Sequence, residues 1–304
     1  MISFVRHTCK KTLGCFITTE TKKLMKNIFL AIVVAVSLLF VSCDNNKEAR
    51  NFYFKAKEAY DLSDYLRVKE LTDSIKIVNN TAFDEIRAGM QLARKAELAI
   101  NKQTMVYADS MLKILQKELD KAIVDFDLIK NEEYQTSGTI VYKHDPNKDS
   151  QTKSCLRVYV TEEGKLEILS VHSGSTAVEH ESFKLAIANG EFIMSEVVPY
   201  DGASNYRYKI NGMNVETITH REPKTLGIAQ FVISAKGAPI TVSYDGKRPY
   251  SYTLAKSTRK AITESYKLSD IIKQIKKYQR DEAIASQTIA ILQKQIEDHK
   301  GDSI

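Results

Sequence analysis

The spacing of apolar positions changes twice along the 304 residues. From 47 to 78, Ala56, Ala59, Tyr60, Leu66, Leu71, Ile75 and Val78 recur at roughly helical intervals. Leu62-Ser63-Asp64-Tyr65 reads as a turn between two helices. Residues 82–130 read as one or two long helices, in the register Met105, Ala108, Leu112, Leu115, Leu119, Ala122, Phe126, Ile129. Near the end of the chain Leu268, Ile271, Ile275, Tyr278, Glu282, Ala285, Ile289, Leu292 and Ile296 repeat the same alternation of three and four, the mark of a heptad seam. Only Glu282 interrupts the apolar set. At ~1.5 Å per residue the seams are ~36 and ~42 Å long. A lone amphipathic helix is marginal in water. The two seams are therefore expected to pair antiparallel, Leu112 to Phe126 facing Ile271 to Ile289, with Leu119 and Ile275 in the core.

Between the seams the period becomes two. "FKLAIA-NG-EFIMSEVV", "YRYKI-NG-MNVETITH" and "ITVSY-DG-KRPYSYTLA" each join extended runs through Asn-Gly or Asp-Gly. Those pairs suit the tight hairpin turn, whose two central residues both need positive φ. "LRVYVTEEGKLEILS" adds a hairpin, and "GTIVYK" and "GIAQFVIS" add single runs. The expected fold is α+β: an antiparallel β meander of about ten strands, barrel or sandwich, inserted between long helices that pair as a coiled-coil-like stalk. The divisions are 1–42 as a signal segment, 43–134 helical, 135–255 β, and 256–304 a C-terminal helix packing on the helical region.

The N-terminal segment reads as targeting rather than structure. Met25-Lys26-Asn27 makes a short basic start, and Ile28 to Val41 is apolar except for Ser37. A membrane-spanning helix needs ~20 apolar residues, more than this run holds. Ser42 precedes Cys43, and Asp44-Asn45-Asn46-Lys47 follows. The stretch resembles the signal and lipobox of bacterial lipoproteins through Val41, Ser42 and Cys43, with Phe40 where that family most often has Leu. The resemblance covers 25–43 only. It implies a diacylglycerol on the Cys43 thiol, cleavage before Cys43, and acylation of the new N-terminus. The physical logic is independent of the family, because stable anchoring takes more than one acyl chain. Residues 1–24 then stand outside the signal, and translation is expected to start at Met25. Residues 47–78 also resemble a tetratricopeptide-type helix pair at Ala56, Tyr60 and Tyr65, with no second copy at a period of about 34 residues.

The formal charge of +6 lies almost wholly before Cys43, where Arg6, Lys10, Lys11, Lys22, Lys23 and Lys26 stand against Glu20. The remainder is nearly neutral, which gives no ground for a nucleic-acid partner. Once processed, the chain keeps only Cys43 and Cys155, so an intrachain disulfide is not expected. Cys155 opens the alternating run "CLRVYV" and reads as a strand residue. No G-x-S-x-G, P-loop, G-x-G-x-x-G, C-x-x-C or H-E-x-x-H occurs. "VHSGS" at 171–175 reads as a polar turn, and His172, Glu179, His180 and Glu181 are ligand types without a metal-binding spacing. No catalytic, cofactor or metal residue is assigned. Tyr206, Tyr208, Tyr250 and Tyr252 are the speculative ligand-facing set, since each pair shares a strand face. Lys256, Arg259, Lys260, Lys267, Lys273, Lys276, Lys277 and Arg280 make the start of the last helix basic. The expectation is a lipid-anchored cell-envelope protein, at the outer membrane, whose β part is a non-enzymatic binding or assembly module for a protein or glycan. The alternative is an envelope hydrolase or other enzyme whose site is assembled only in three dimensions.

Overall fold

The computed structural model describes residues 46–130, 137–150 and 152–299. The signal segment, the start at Met25 and Cys43 lie outside them. The chain divides into two compact units, one of residues up to 103 with 285 onward, the other of 104–284.

In the first unit, helix α1 (46–61) turns at Leu62-Ser63-Asp64 into α2 (Tyr65–Val78). Ser63 takes φ 61°, and the Asp64 side chain accepts the Arg67 N–H as the cap of α2. Ala56, Ala59, Val68 and Leu71 pack with Ala96 of helix α3 (Phe83–Ala122). The Tyr60 and Tyr65 rings meet edge to face at 5.5 Å across the turn. The helix pair and its turn fall where the periodicity puts them.

Among the described residues the second unit holds ten strands in two antiparallel sheets. They are β1 (Phe126–Ile129), β2 (Thr139–Tyr142), β3 (Cys155–Thr161), β4 (Leu166–Gly174), β5 (Ser182–Ile187), β6 (Phe192–Met194), β7 (Asn205–Ile210), β8 (Met213–His220), β9 (Ile240–Asp245) and β10 (Tyr250–Thr253). One sheet runs β1-β2-β3-β4-β8-β7 and the other β10-β9-β5-β6. The expected hairpins all form, but their order is not a simple meander. After β4 the chain crosses to the other sheet for β5 and β6, returns beside β4 with β8 and β7, and crosses again to set β9 beside β5. The sheets stay separate, so there is no closed barrel among the described residues. Leu156, Val158, Leu166 and Ile168 of the first sheet share a core with Phe183, Leu185, Val242 and Tyr244 of the second.

Three local expectations change. The helix expected through 130 closes at Ala122, and after a 3-10 turn β1 pairs with β2, Phe126 opposite Tyr142. Phe126 fits the heptad spacing but is buried in the sheet, its ring 5.3 Å from that of Tyr142. Second, "GIAQFVIS" lies in helix α4 (Lys224–Ser234), not a strand. Thr225, Ile228, Ala229 and Val232 are buried at the i, i+3, i+4, i+7 spacing of one helix face. Third, both turn residues have positive φ only at Asn211-Gly212 (52° and 80°). At 189–190 only Gly190 does, and at 245–246 neither does.

The heptad seams survive up to Ala122. Ala108 and Leu115 on α3, and Leu268, Ile275, Ala285 and Leu292 on α5 (Lys256–Asp298), are buried, and the other seam positions are half-buried. Within the second unit Tyr107 meets Tyr278 ring to ring at 5.8 Å. Further along, Leu119 and Ala122 pack on the core that holds Ala261, Ile262 and Leu268. These contacts run in opposite senses along α3 and α5, so the helices are antiparallel as expected, and the core that Leu119 and Ala122 join also holds Ile272. Ile275 is a core position, and Leu119 is half-buried against the core.

Candidate functional site

Strand β8 alternates between two environments, and the two possible sites lie on its two faces. Asn214, Glu216, Ile218 and His220 share one parity, and Val215, Thr217 and Thr219 the other.

On the inner face Glu216 is sealed from solvent. The crossing from β4 to β5 wraps its carboxylate. The N–H groups of Val178 and Glu179 donate to Oε1 at 2.7 and 2.8 Å, and that of His180 to Oε2 at 3.1 Å. Glu179 takes φ 57° there, the left-handed bend that turns successive N–H groups toward one anion. Gly246 makes the close approach possible, since a Cβ at 246 would stand 2.2 Å from the Val178 carbonyl oxygen. His180 adds Nδ1 at 2.8 Å from Oε2. Burial alone would raise the Glu216 pKa; the His180 ring N–H and the backbone N–H groups of 179 and 180 outweigh it and bring it down to about 2.

The chain of contacts continues through Ser170, whose Oγ lies 3.0 Å from His180 Nε2 and 3.1 Å from His220 Nε2. Glu216 can only accept, so His180 Nδ1 carries a proton. Ser170 has one hydroxyl proton, so it donates to one of these two imidazoles and accepts from the other. His220 Nδ1 has no partner among the described residues. Burial, helped by His180, pushes His220 down to about 3. Tyr244 stacks on His180 at 4.4 Å and 12°. Its hydroxyl shares a proton between the carbonyls of Cys155 (2.9 Å) and Val171 (3.1 Å), and the Tyr252 hydroxyl lies 3.0 Å away.

Glu216, His180 and Ser170 stand in the order acid, base, hydroxyl that nucleophilic catalysis uses. Ser170 and His180 are 0% exposed and Glu216 1%, so no substrate carbonyl reaches the hydroxyl. The arrangement ties the β4–β5 crossing to β8 and is a structural lock. The ligand types flagged in the sequence do not converge: His172 contacts Ser154 and the Thr176 carbonyl, and Glu179 pairs with Lys247 and Arg207. Cys155 is buried, and burial pushes its thiol up to about 11, so it is inert as a nucleophile.

The four flagged tyrosines separate into two pairs, and only Tyr206 and Tyr208 lie on the outer face. Tyr252 is held by Tyr244, and Tyr250 lies against His172 at 4.9 Å, so this pair lids the lock. Tyr206 and Tyr208 stack on β7, the edge strand, at 5.3 Å and 30°. Tyr206 is 48% exposed, while Tyr208 packs on the buried cluster of Cys155, Val171 and Val215. These rings line an open depression of about 460 Å³ with Ala203, Thr217 and Thr219. A second depression, of about 450 Å³, shares Thr219 and adds Tyr200, Asp201, Ser204 and Arg221.

Four of the eight basic residues at the start of α5 are engaged within the chain: Lys267 with Glu264, Lys273 with Glu222, Lys277 with Asp281, and Arg259 with the Ala238 carbonyl. Sequence reasoning missed Glu216, Ser170 and His220. The available signal was a strand with Glu and His on the same parity as Ile218.

No protein family matches the chain, and no curated protein does. A solved structure, the flagellar junction protein FlgL from Legionella pneumophila, aligns over 88% of this chain and 94% of its own at 10% identity and a TM-score of 0.17. A score that low carries no argument about fold or function.

Proposed function

We propose that this chain is a lipid-anchored protein of the bacterial cell envelope, tethered through Cys43, whose β unit is a non-enzymatic binding module. The anchor rests on the apolar run 28–41 followed by Ser42-Cys43. Among the described residues no helix is long and apolar enough to cross a membrane. The observation that carries the binding role is the contrast between the two faces of β8. The acid–base–hydroxyl relay is sealed, while the exposed, stacked Tyr206 and Tyr208 line an open depression that continues into a second one. Exposed aromatic side chains held rigidly from behind are what binding surfaces concentrate. The outer membrane is the proposed location.

The test is a photo-crosslinking residue placed at 206 in the full chain in living cells, with position 107 on α3 as the control. An adduct with an envelope component at 206 and none at 107 supports the reading. Absence of an adduct at 206, or equal capture at both, overturns it.

A further inference from the structure

Resting on that reading of the outer face, we propose that its ligand is a neutral glycan, with the apolar face of a sugar ring stacked on Tyr206 and ring hydroxyls paired with Thr217 and Thr219.

The aromatic part is preorganised. Tyr206 leans on Tyr208, and Tyr208 is fixed by Val215, Cys155 and Val171, so the outer side of the Tyr206 ring stays presented. Thr217 is the direct ladder partner of Tyr206, which places its hydroxyl beside the ring. The polar part is unspent. Among the described residues the hydroxyls of Tyr206, Tyr208, Thr217 and Thr219 have no hydrogen-bond partner, whereas those of Ser170, Thr225 and Ser269 are all engaged. A hydroxyl both donates and accepts, as a sugar hydroxyl does, so the free hydroxyl of Tyr206 and three more around its ring match a polyhydroxyl ligand.

The charges point the same way. Arg221 lies at the adjoining depression, with Nε 3.3 Å from Glu167 and a terminal nitrogen 3.0 Å from the Ser204 hydroxyl. Asp201 beside it accepts the N–H groups of Ala203 and Asn205 through a single oxygen. Glu196 is the third charged residue there. One cation against two carboxylates does not favour a polyanion. An apolar peptide would need a groove that encloses its side chains, and both depressions are open.

The experiment applies the full-length chain in detergent micelles to an array of neutral linear hexasaccharides: malto-, cello-, chito-, manno- and xylo-series. Titration calorimetry follows with the hexasaccharide that binds best. Tyr206→Ala is expected to weaken binding about tenfold or more, and Tyr206→Phe, which keeps the ring, by no more than about threefold. Tyr250→Ala should leave the affinity unchanged. No binding to any of the five series overturns the inference, and so does binding that Tyr206→Ala leaves intact while its circular dichroism matches the wild type. A polypeptide adduct at position 206 in cells, with a blank array, removes the glycan and leaves the binding module standing. No adduct at 206 removes both.

Discussion

A single glutamate organises the interior of the β unit. Glu216 receives three backbone N–H groups and one imidazole N–H in a space closed to water. Hydrogen bonds to a buried charge are worth more than neutral ones, and removing the charge sets donors against the new amide. Glu216→Gln should therefore destabilise the chain by about 3 kcal/mol in urea unfolding. The same residues make it acid-labile. Glu216 titrates near 2 in the fold against an ordinary 4.5, so its contribution is complete above 4.5 and is lost as pH falls toward 2. His220 is held neutral in the fold down to about 3, whereas the unfolded chain takes up that proton near 6.5. Its contribution is thus complete above 6.5 and drains away as pH falls toward 3. Both act in one direction: the urea midpoint should fall steadily as pH is lowered from 6.5 to 3. His220→Leu should flatten the stretch from 6.5 to 4.5, where Glu216 is still ionised. A wild-type midpoint that is level across that stretch contradicts a His220 held neutral in the fold.

Elements were legible where one physical signal ruled. Hairpins β3–β4, β5–β6, β7–β8 and β9–β10 follow from period-two runs and their turn residues, and the α1–α2 pair from its apolar spacing and the Ser63-Asp64 turn. "GIAQFVIS" was not legible as helix, because a short apolar run fits either period until Thr225, upstream of it, completes a helical stripe. The end of α3 was hidden because Phe126 satisfies the heptad and the β ladder equally well. Strand order was out of reach: local alternation says which residues point inward but not which sheet a hairpin joins. The inward Glu216 and His220 hid for the same reason, since both parities of β8 mix polar and apolar residues. The seam positions of α3 and α5 came through, and that agreement is testable. Ile275 is buried, so Ile275→Asp places an unpaired carboxylate in the core. It should destabilise the chain by several kcal/mol. An unchanged urea midpoint would remove Ile275 from the core.

At the scale of the whole molecule, charge and hydropathy separate the residues before Cys43 from the remainder. Of the formal +6, +5 precedes Cys43, so the chain after that residue is nearly neutral. On the proposed reading, a tether at Cys43 sets where in the cell its aromatic outer face is presented. Two or more acyl chains at one N-terminal cysteine make a stable anchor, at ~0.8 kcal/mol for each buried CH₂. The central claim, an envelope lipoprotein that presents its β unit from that anchor, is tested most directly by the intact mass of the protein extracted from native membranes. The account predicts the mass of residues 43–304 plus a diacylglycerol and an N-linked acyl chain, with the added mass lost on Cys43→Ala. A mass equal to an unmodified polypeptide, cut or uncut, would contradict it.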